Sequence, residues 1–417
     1  MTREVRMGML MDGQLCEHVG LADSQKMLAR KPKWVAGNIS PFDQPLLIGL
    51  TKVLQPKKVV EIGVASGWSG CLFIDALSQC RPDAQYLGID CSKTYYLDAS
   101  RNTGAAIGEL FPVLPIDSQL LLGNMAVDCL EQVGAGVDLA FIDGDHLHPW
   151  ALLDLLSLMP VLAPSAHVLM HDLSLSTFER HRHTNRGPKY LYECWPLAKI
   201  HSSQDPPMIG AIQMPEKIDD ALLRLLLDTL YAPWETVIDE RVLSSLSRVL
   251  KEHLPQHWSS QFDMAMSQLN ARAKLDRMAK AGGNRDQLMR RHLAAIKRMS
   301  DPRQALEHML IAEQLFSGSP EVLHELSVLL YKTEKLDEAL QASARCIALN
   351  ADNPHFQSFH GVLLHHAGDL TSAEFHLSNA VRSRGDIEVF RRRLADLQHS
   401  MLVAANDTSG PSAHPLR

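Results

Sequence analysis

The sequence predicts an α/β fold with a mostly parallel sheet, followed by an all-α region and then by helical repeats. Three observations predict it. Between residues 41 and 215, short apolar runs (KVVEIGV, QYLGIDC, VDLAFID, HVLMHD, IGAIQM) alternate with helix-length segments, the pattern of βαβ units whose strands are buried on both faces. From 216 to 280 the strand signals stop and Leu-rich amphipathic segments such as DDALLRLLLDTL and RVLSSLSRVLKEHL take over. Beyond them Ala305, Ala339 and Ala373 recur every 34 residues, and Ala312, Cys346 and Ala380 keep the same interval seven residues later.

Composition narrows the class of molecule. With 417 residues, 46% of them hydrophobic and 21% charged, the chain has material for two or three domains with substantial cores. Its 41 Lys and Arg against 48 Asp and Glu give a net charge of −7, which argues against a chain-wide nucleic-acid or anionic-membrane footprint. The seven cysteines lie far apart and form no C-x-x-C, so neither a disulfide framework nor a zinc knuckle is expected, and a reducing cytoplasm is the natural location. No export signal or membrane span is expected either, because no stretch of about 18 uncharged apolar residues occurs. Residues 272 to 303 hold ten Lys and Arg against three Asp and Glu; without interleaved aromatics these read as solvated helix faces rather than a nucleic-acid surface.

Residues 1–40 precede the first α/β signal and read as an N-terminal extension. In the α/β part, 41–215, the first strand runs through Val59, Val60, Glu61 and Ile62 into the turn Gly63-Val64-Ala65-Ser66-Gly67 and then a helix. An open α/β sheet binds its ligand outside the carboxyl end of such a strand. The spacing is neither G-x-G-x-x-G nor a phosphate loop. An acid at the strand end would repel a phosphate and suits a ligand with an ammonium group, so Glu61 is a candidate contact. The second strand ends in Asp90, 29 residues after Glu61, where a carboxylate can accept two ribose hydroxyls. The third, ending LLL, runs into Gly123-Asn124-Met125-Ala126. The fourth ends in the run Phe141-Ile142-Asp143-Gly144-Asp145-His146, and the fifth in Val168-Leu169-Met170-His171-Asp172.

These strand ends resemble, in order, motif I and its successors in the class I S-adenosylmethionine-dependent methyltransferases. The F-I-D-G-D-H run is similar to a branch that includes sugar and natural-product O-methyltransferases. The resemblance implies a Rossmann-like methyltransferase domain binding S-adenosyl-L-methionine through Glu61, Gly63, Ala65, Ser66, Gly67, Asp90, Gly123, Asn124, Met125 and Asp143. In metal-dependent members a magnesium ion sits on strand-end carboxylates; Asp143 and Asp172 map onto two of those positions, while Leu173 stands where a third ligand is usual. Magnesium takes oxygen ligands and orients a diol. A base must also remove the acceptor's proton, and His146 and His171, with Asp143, form the candidate catalytic group.

The segment from Arg186 to Pro196 combines Tyr190, Tyr192, Trp195, Lys189 and Gly187 without a clear period. It reads either as an acceptor-recognition lid or as a surface connection with an aromatic anchor. Asp205-Pro206-Pro207-Met208 looks like an amino-methyltransferase motif but does not follow strand four, so nitrogen methylation is disfavoured. Residues 216–284 form a helical connector ending in the linker Ala281-Gly282-Gly283-Asn284.

Residues 285–404 resemble tetratricopeptide repeats, whose helix pairs pack through small residues and stack into a superhelix. Gly361, Gly368, Asp369 and Leu370 fall where such a unit needs a small packing residue and then a turn. The signature Trp and Tyr are replaced by Leu323 and Gln357, then Leu330 and Leu364. A terminal helix follows, and 405–417 read as a disordered tail. The expected activity is methylation of a glycan or secondary-metabolite hydroxyl, with a protein partner on the repeats. The alternatives are an interaction scaffold whose α/β part is inactive or only senses cofactor, and an enzyme acting on a protein that the repeats recruit.

Overall fold

The computed structural model describes residues 12–36, 39–181, 184–280, 285–316 and 318–408. The chain divides into two compact units, Met1–Ala273 and Lys274–Arg417. The linker expected at 281–284 lies outside the described residues.

The first unit is built on a seven-stranded sheet of order β3-β2-β1-β4-β5-β7-β6. Its elements in chain order are α1 (Gly13–Arg30), α2 (Gln44–Leu54), β1 (Lys58–Ile62), α3 (Trp68–Cys80), β2 (Gln85–Asp90), α4 (Ala105–Leu110), β3 (Asp117–Leu122), α5 (Leu130–Val133), β4 (Val137–Ile142), α6 (Trp150–Leu158), β5 (Leu162–Met170), α7 (Gly187–Cys194), β6 (Lys199–His201), β7 (Gly210–Gln213), α8 (Asp220–Leu230), α9 (Glu240–His253) and α10 (Gln256–Lys280). Strands β1 to β5 are parallel, and β7 runs antiparallel to both β5 and β6. Strand order reverses between β1 and β4, so the crevice at their carboxyl ends is the place for a ligand.

Alternation along the strands feeds two cores. Val60, Ile62, Leu87, Ile89, Ala140 and Ile142 face one side, where α6, α8, α9 and the first part of α10 cover them with Leu155, Leu226, Leu246 and Phe262. Val59, Tyr86, Leu139 and Phe141 face the other, beneath α1, α2 and α3. The helical stretch expected as a connector is therefore part of this unit's core up to Met266. The N-terminal stretch is also structural. Helix α1 crosses α2 so closely that a Cβ on Gly49 would lie 1.7 Å from the Cys16 carbonyl oxygen, and one on Gly20 would lie 2.0 Å from that of Pro45. Only hydrogen at both positions permits this approach.

The second unit contains α11 (Arg285–Ile296), α12 (Pro302–Leu315), α13 (Pro320–Lys332), α14 (Leu336–Leu349), α15 (Pro354–His366), α16 (Leu370–Ser383) and α17 (Glu388–Thr408). The 34-residue rhythm has a packing cause. Ala305, Ala339 and Ala373 are at most 2% exposed, and Ala312, Cys346 and Ala380 at most 1%, so small side chains recur where one helix of each pair presses on its neighbours. A Cβ on Gly361 would meet Leu377 Cγ at 2.7 Å, and Gly368 turns the chain at φ 86° before Asp369 caps α16 through the Ser372 N–H. Ser319 and Asn353, also 34 residues apart, cap α13 and α15 in the same way. The last helix runs to Thr408, past residue 405; the remainder of the expected tail lies outside the described residues. No described helix is long and apolar enough to cross a membrane.

Candidate active site

The turn after β1 is shaped by close backbone approach. Gly63 has φ 94°, and a Cβ there would lie 2.1 Å from the Asp143 carbonyl oxygen, so glycine is required where β1 and β4 converge. Gly67, at φ 85°, starts α3 against Gly104. Ala65 holds a left-handed φ of 48° with a side chain, and its N–H donates to Asp90 Oδ2 at 3.0 Å. Such backbone strain persists where surrounding bonds over-determine it. Asp90 Oδ1 accepts from Ser92 N–H at 2.8 Å, and the Asp90 carbonyl accepts from Gly123 N–H. One carboxylate thus ties the ends of β1 and β2 together, and its backbone fixes the turn after β3.

These turns enclose a cavity of about 440 Å³ whose wall includes Gly63, Ala65, Asp90, Asn124, Met125 and Asp143. Trp150 and Ala126 add apolar surface, and Asp145, Asp154 and Asp239 add carboxylates. Burial, and secondarily Asp145, push the Asp154 carboxyl up to about 7. A second cavity of about 480 Å³ shares Gly63, Ala65, Tyr96, Asp143 and Gly144 with the first and continues along Ser66, Ser69, His146, His171 and Asp172.

The expectation for Glu61 needs correction. Strand alternation turns its side chain to the opposite side from Ile62, beneath α3, where it is fully buried and accepts hydrogen bonds from Ser69 and Tyr86. Burial pushes its carboxyl up to about 8 despite those bonds, and it lines neither cavity. Its link to the cavity is the Ser69 hydroxyl.

At the ends of β4 and β5, Asp143, His146, His171 and Asp172 come together as expected from their order. His146 Nε2 lies 2.9 Å from Asp172 Oδ2 and 3.5 Å from Asp143 Oδ1; His171 Nδ1 lies 3.3 Å from Asp143 Oδ1 and 3.5 Å from Asp172 Oδ2. The sequence reading missed Asp43. It is 1% exposed, directly precedes α2, and puts Oδ2 3.5 Å from His171 Nε2. Burial alone would lower both imidazole pKa values, but the carboxylates outweigh it, pushing His146 up to about 10 and His171 well above its usual range. Burial would raise the Asp172 carboxyl, and the two imidazoles instead hold it far below the usual carboxylate range. Asp172 itself sits at φ 60°, a second strained position at the site.

One oxygen from Asp143, one from Asp172 and one nitrogen from His146 all lie within 4.8 Å of one another, a spacing that can hold a metal ion. Leu173 is 4% exposed and packs into the core, with its N–H donating to the Met208 carbonyl, so it adds no side-chain donor to this group.

The loop carrying His146 is held from the helical region. Glu235 accepts from His148 N–H, Arg186 N–H and Arg186 Nε, the last at 2.7 Å, while Gly187 N–H donates to the His146 carbonyl. The Arg186–Pro196 stretch is no lid. It folds largely as α7, with Trp195 only 2% exposed and its indole N–H donating to the Gln213 carbonyl. Its period is obscured in the sequence because the helix is short and Tyr190 packs on His148.

Residues 60–173 match the family model described as a methyltransferase domain. No curated protein matches the chain. Among solved structures, an O-methyltransferase from Bacillus cereus in complex with SAH is 15% identical over 47% of this chain and 90% of its own, with a TM-score of 0.34. The O-methyltransferase TomG from Streptomyces achromogenes, involved in tomaymycin synthesis and solved with SAM, is 16% identical over 47% and 89%, with a TM-score of 0.33. The Sgt2 TPR domain from Aspergillus fumigatus is 16% identical over 32% and 88%, with a TM-score of 0.28. The match to the methyltransferase-domain model thus falls on the first unit, across strands β1 to β5 of the seven-stranded sheet, while the second unit is a run of helices whose small buried residues recur every 34 positions.

Proposed function

We propose that the chain is an S-adenosylmethionine-dependent O-methyltransferase acting on a hydroxyl of a glycan or secondary metabolite, with the repeats binding a protein partner. The observation that carries this is the junction of the two cavities: a donor pocket walled by Gly63, Ala65, Asp90 and Met125 meets, at Asp143 and Gly144, a pocket lined by carboxylates and imidazoles. In this reading Asp90 accepts the ribose hydroxyls, Met125, Ala126 and Trp150 enclose the adenine, and the methionine end follows the Gly63–Gly67 turn past Ser66 and Ser69. The acceptor oxygen attacks the sulfonium methyl in line, the S–C bond breaks, and the acceptor proton leaves to the protein.

The cluster fits a divalent cation better than its protons alone. Three carboxylates, Asp43, Asp143 and Asp172, face two imidazoles, so negative charge remains even with both imidazoles protonated. Asp143, Asp172 and His146 would hold the ion. Two carboxylates and an imidazole accept manganese or another transition ion more readily than magnesium, which prefers oxygen throughout. Bound there, it would polarise the acceptor hydroxyl and offset the carboxylate charge around His171. His171 borders the acceptor side, with Asp43 Oδ2 3.5 Å from its Nε2; it would serve as the base only after the cation, by offsetting the carboxylates, had released its own proton.

Transfer of labelled methyl from S-adenosylmethionine to a panel of glycosides and phenols by the full-length chain tests the proposal. Turnover on a hydroxyl acceptor supports it. Binding of the cofactor with no transfer to any hydroxyl would favour the scaffold or sensor alternative.

A further inference from the structure

We propose that a third cavity, beside the Asp143 cluster, is the acceptor pocket and that it reads an acidic saccharide. Asp43 and Gln204 would take its hydroxyls, Phe42 and Phe178 its apolar ring face, and Arg180 its anionic group. This rests on the methyl-transfer reading above and names the substrate class of that same site.

The cavity measures about 770 Å³ and shares His171, Asp172, Leu175 and Arg180 with the pocket that adjoins the donor site. A ligand filling it therefore reaches the catalytic cluster. Three buried polar atoms on its lining residues have no hydrogen-bond partner among the described residues: Asp43 Oδ1, His171 Nε2 and Gln204 Oε1. His171 Nε2 lies within ion-pair distance of Asp43 but lacks hydrogen-bond geometry. Unsatisfied buried polar atoms are costly and rare, and finding three on the residues that line one cavity marks its wall as the place where a ligand's hydroxyls would offset that cost. Asp43 lies just before α2, while Gln204 belongs to the loop between β6 and β7, so the two stand on separate segments and ask for a ligand with several hydroxyl donors.

Phe42 is 73% exposed and Phe178 46% exposed on the same cavity, which supplies flat apolar surface for the C–H face of a sugar ring. A planar phenol would use those rings but leave Asp43 and Gln204 unmet. Arg180 is exposed, lines both acceptor-side cavities and has no carboxylate partner among the described residues. A guanidinium so placed suits a carboxylate or similar anion on the acceptor.

The test uses the full-length chain saturated with S-adenosylhomocysteine and titrated calorimetrically with methyl glucuronoside, methyl glucoside and catechol. The glucuronoside should bind at least about tenfold more tightly than the glucoside. Arg180→Ala should remove that preference, and Gln204→Leu should weaken both sugars, each with S-adenosylhomocysteine affinity retained. Preference for catechol, or no binding of either sugar to protein that has bound S-adenosylhomocysteine, overturns the saccharide assignment and leaves methyl transfer standing. Failure to bind S-adenosylhomocysteine at all overturns the reading on which it rests.

Discussion

Two histidines of the first unit and four of the second have opposite surroundings, while His148 and His167 of the first unit are, like those of the second, lowered by burial, to about 4. In the first, His146 and His171 stand among Asp43, Asp143 and Asp172, and both imidazoles are held cationic. In the second, His292, His324, His360 and His376 are held neutral, because burial lowers each pKa. His324 packs on Phe356 and Phe359, and His360 on His376 with ring centres 4.7 Å apart. The residue type is the same and the role is set by what faces it. Carboxylates raise the imidazole pKa and make a charged cluster, whereas aromatic and small neighbours make a packing residue. The chemistry is therefore assigned to the first unit although the repeats are also rich in histidine.

The largest expected effect separates the units by function. Asp172→Ala should lower turnover by about 10²- to 10⁴-fold with cofactor affinity nearly unchanged. Chelation should give a comparable loss, restored by added manganese or magnesium. Turnover that survives chelation but disappears in His171→Ala would remove the cation from the account and leave the imidazole as a base working without it.

Next in size, Asp90→Ala should weaken S-adenosylmethionine binding by roughly 2 to 4 kcal/mol, from the loss of charge-assisted bonds to ribose and of the anchor on Ala65 N–H. Unchanged affinity in a folded variant would place the ribose elsewhere. In the repeats, Ala339→Leu should cost about 1 to 3 kcal/mol of stability by overpacking a fully buried position, and should leave cofactor affinity intact. A neutral substitution would count against the repeat register.

The smallest effect is a pH dependence. His360, lowered to about 4 by burial and by His376 beside it, binds its proton more readily unfolded than folded. Its contribution is fully present above about pH 6.5 and is lost as pH falls toward 4. His376 acts in the same sense, with Asp369 opposing its shift, while Ser343 Oγ and Gln357 Oε1 bond the two rings. Hydrogen exchange in the intact chain should show α14 to α16 less protected at pH 5 than at pH 7.5, after correction for intrinsic rates. Equal protection would mean that these histidines are not held neutral.

Much of this was legible in the sequence, for identifiable reasons. Strands β1, β2, β4, β5 and β7 announce themselves because strands covered on both faces read as apolar runs, and the repeats because small residues must recur where helices touch. The three-residue edge strand β6, Lys-Ile-His, buries one side chain and carries no such signal. Helix α1 is hidden because its fit depends on Gly20 and Gly49, which meet only in three dimensions. In the site, Asp90, Asp143, His146, His171 and Asp172 follow from their strand-end positions. Glu61 misleads because strand parity, invisible without the covering helix, turns it under α3. Asp43 looks like an ordinary helix-start residue, Glu235 like a loop acid and Gln204 like part of a polar turn, so nothing local distinguishes them.

What the pocket beside Asp90 binds decides the function most directly. Titration of the full-length protein with S-adenosylhomocysteine and, separately, with NAD decides it. One S-adenosylhomocysteine site per chain, weakened in Asp90→Ala, and no NAD binding is the predicted result. Selective binding of NAD, or S-adenosylhomocysteine binding indifferent to Asp90, would contradict it.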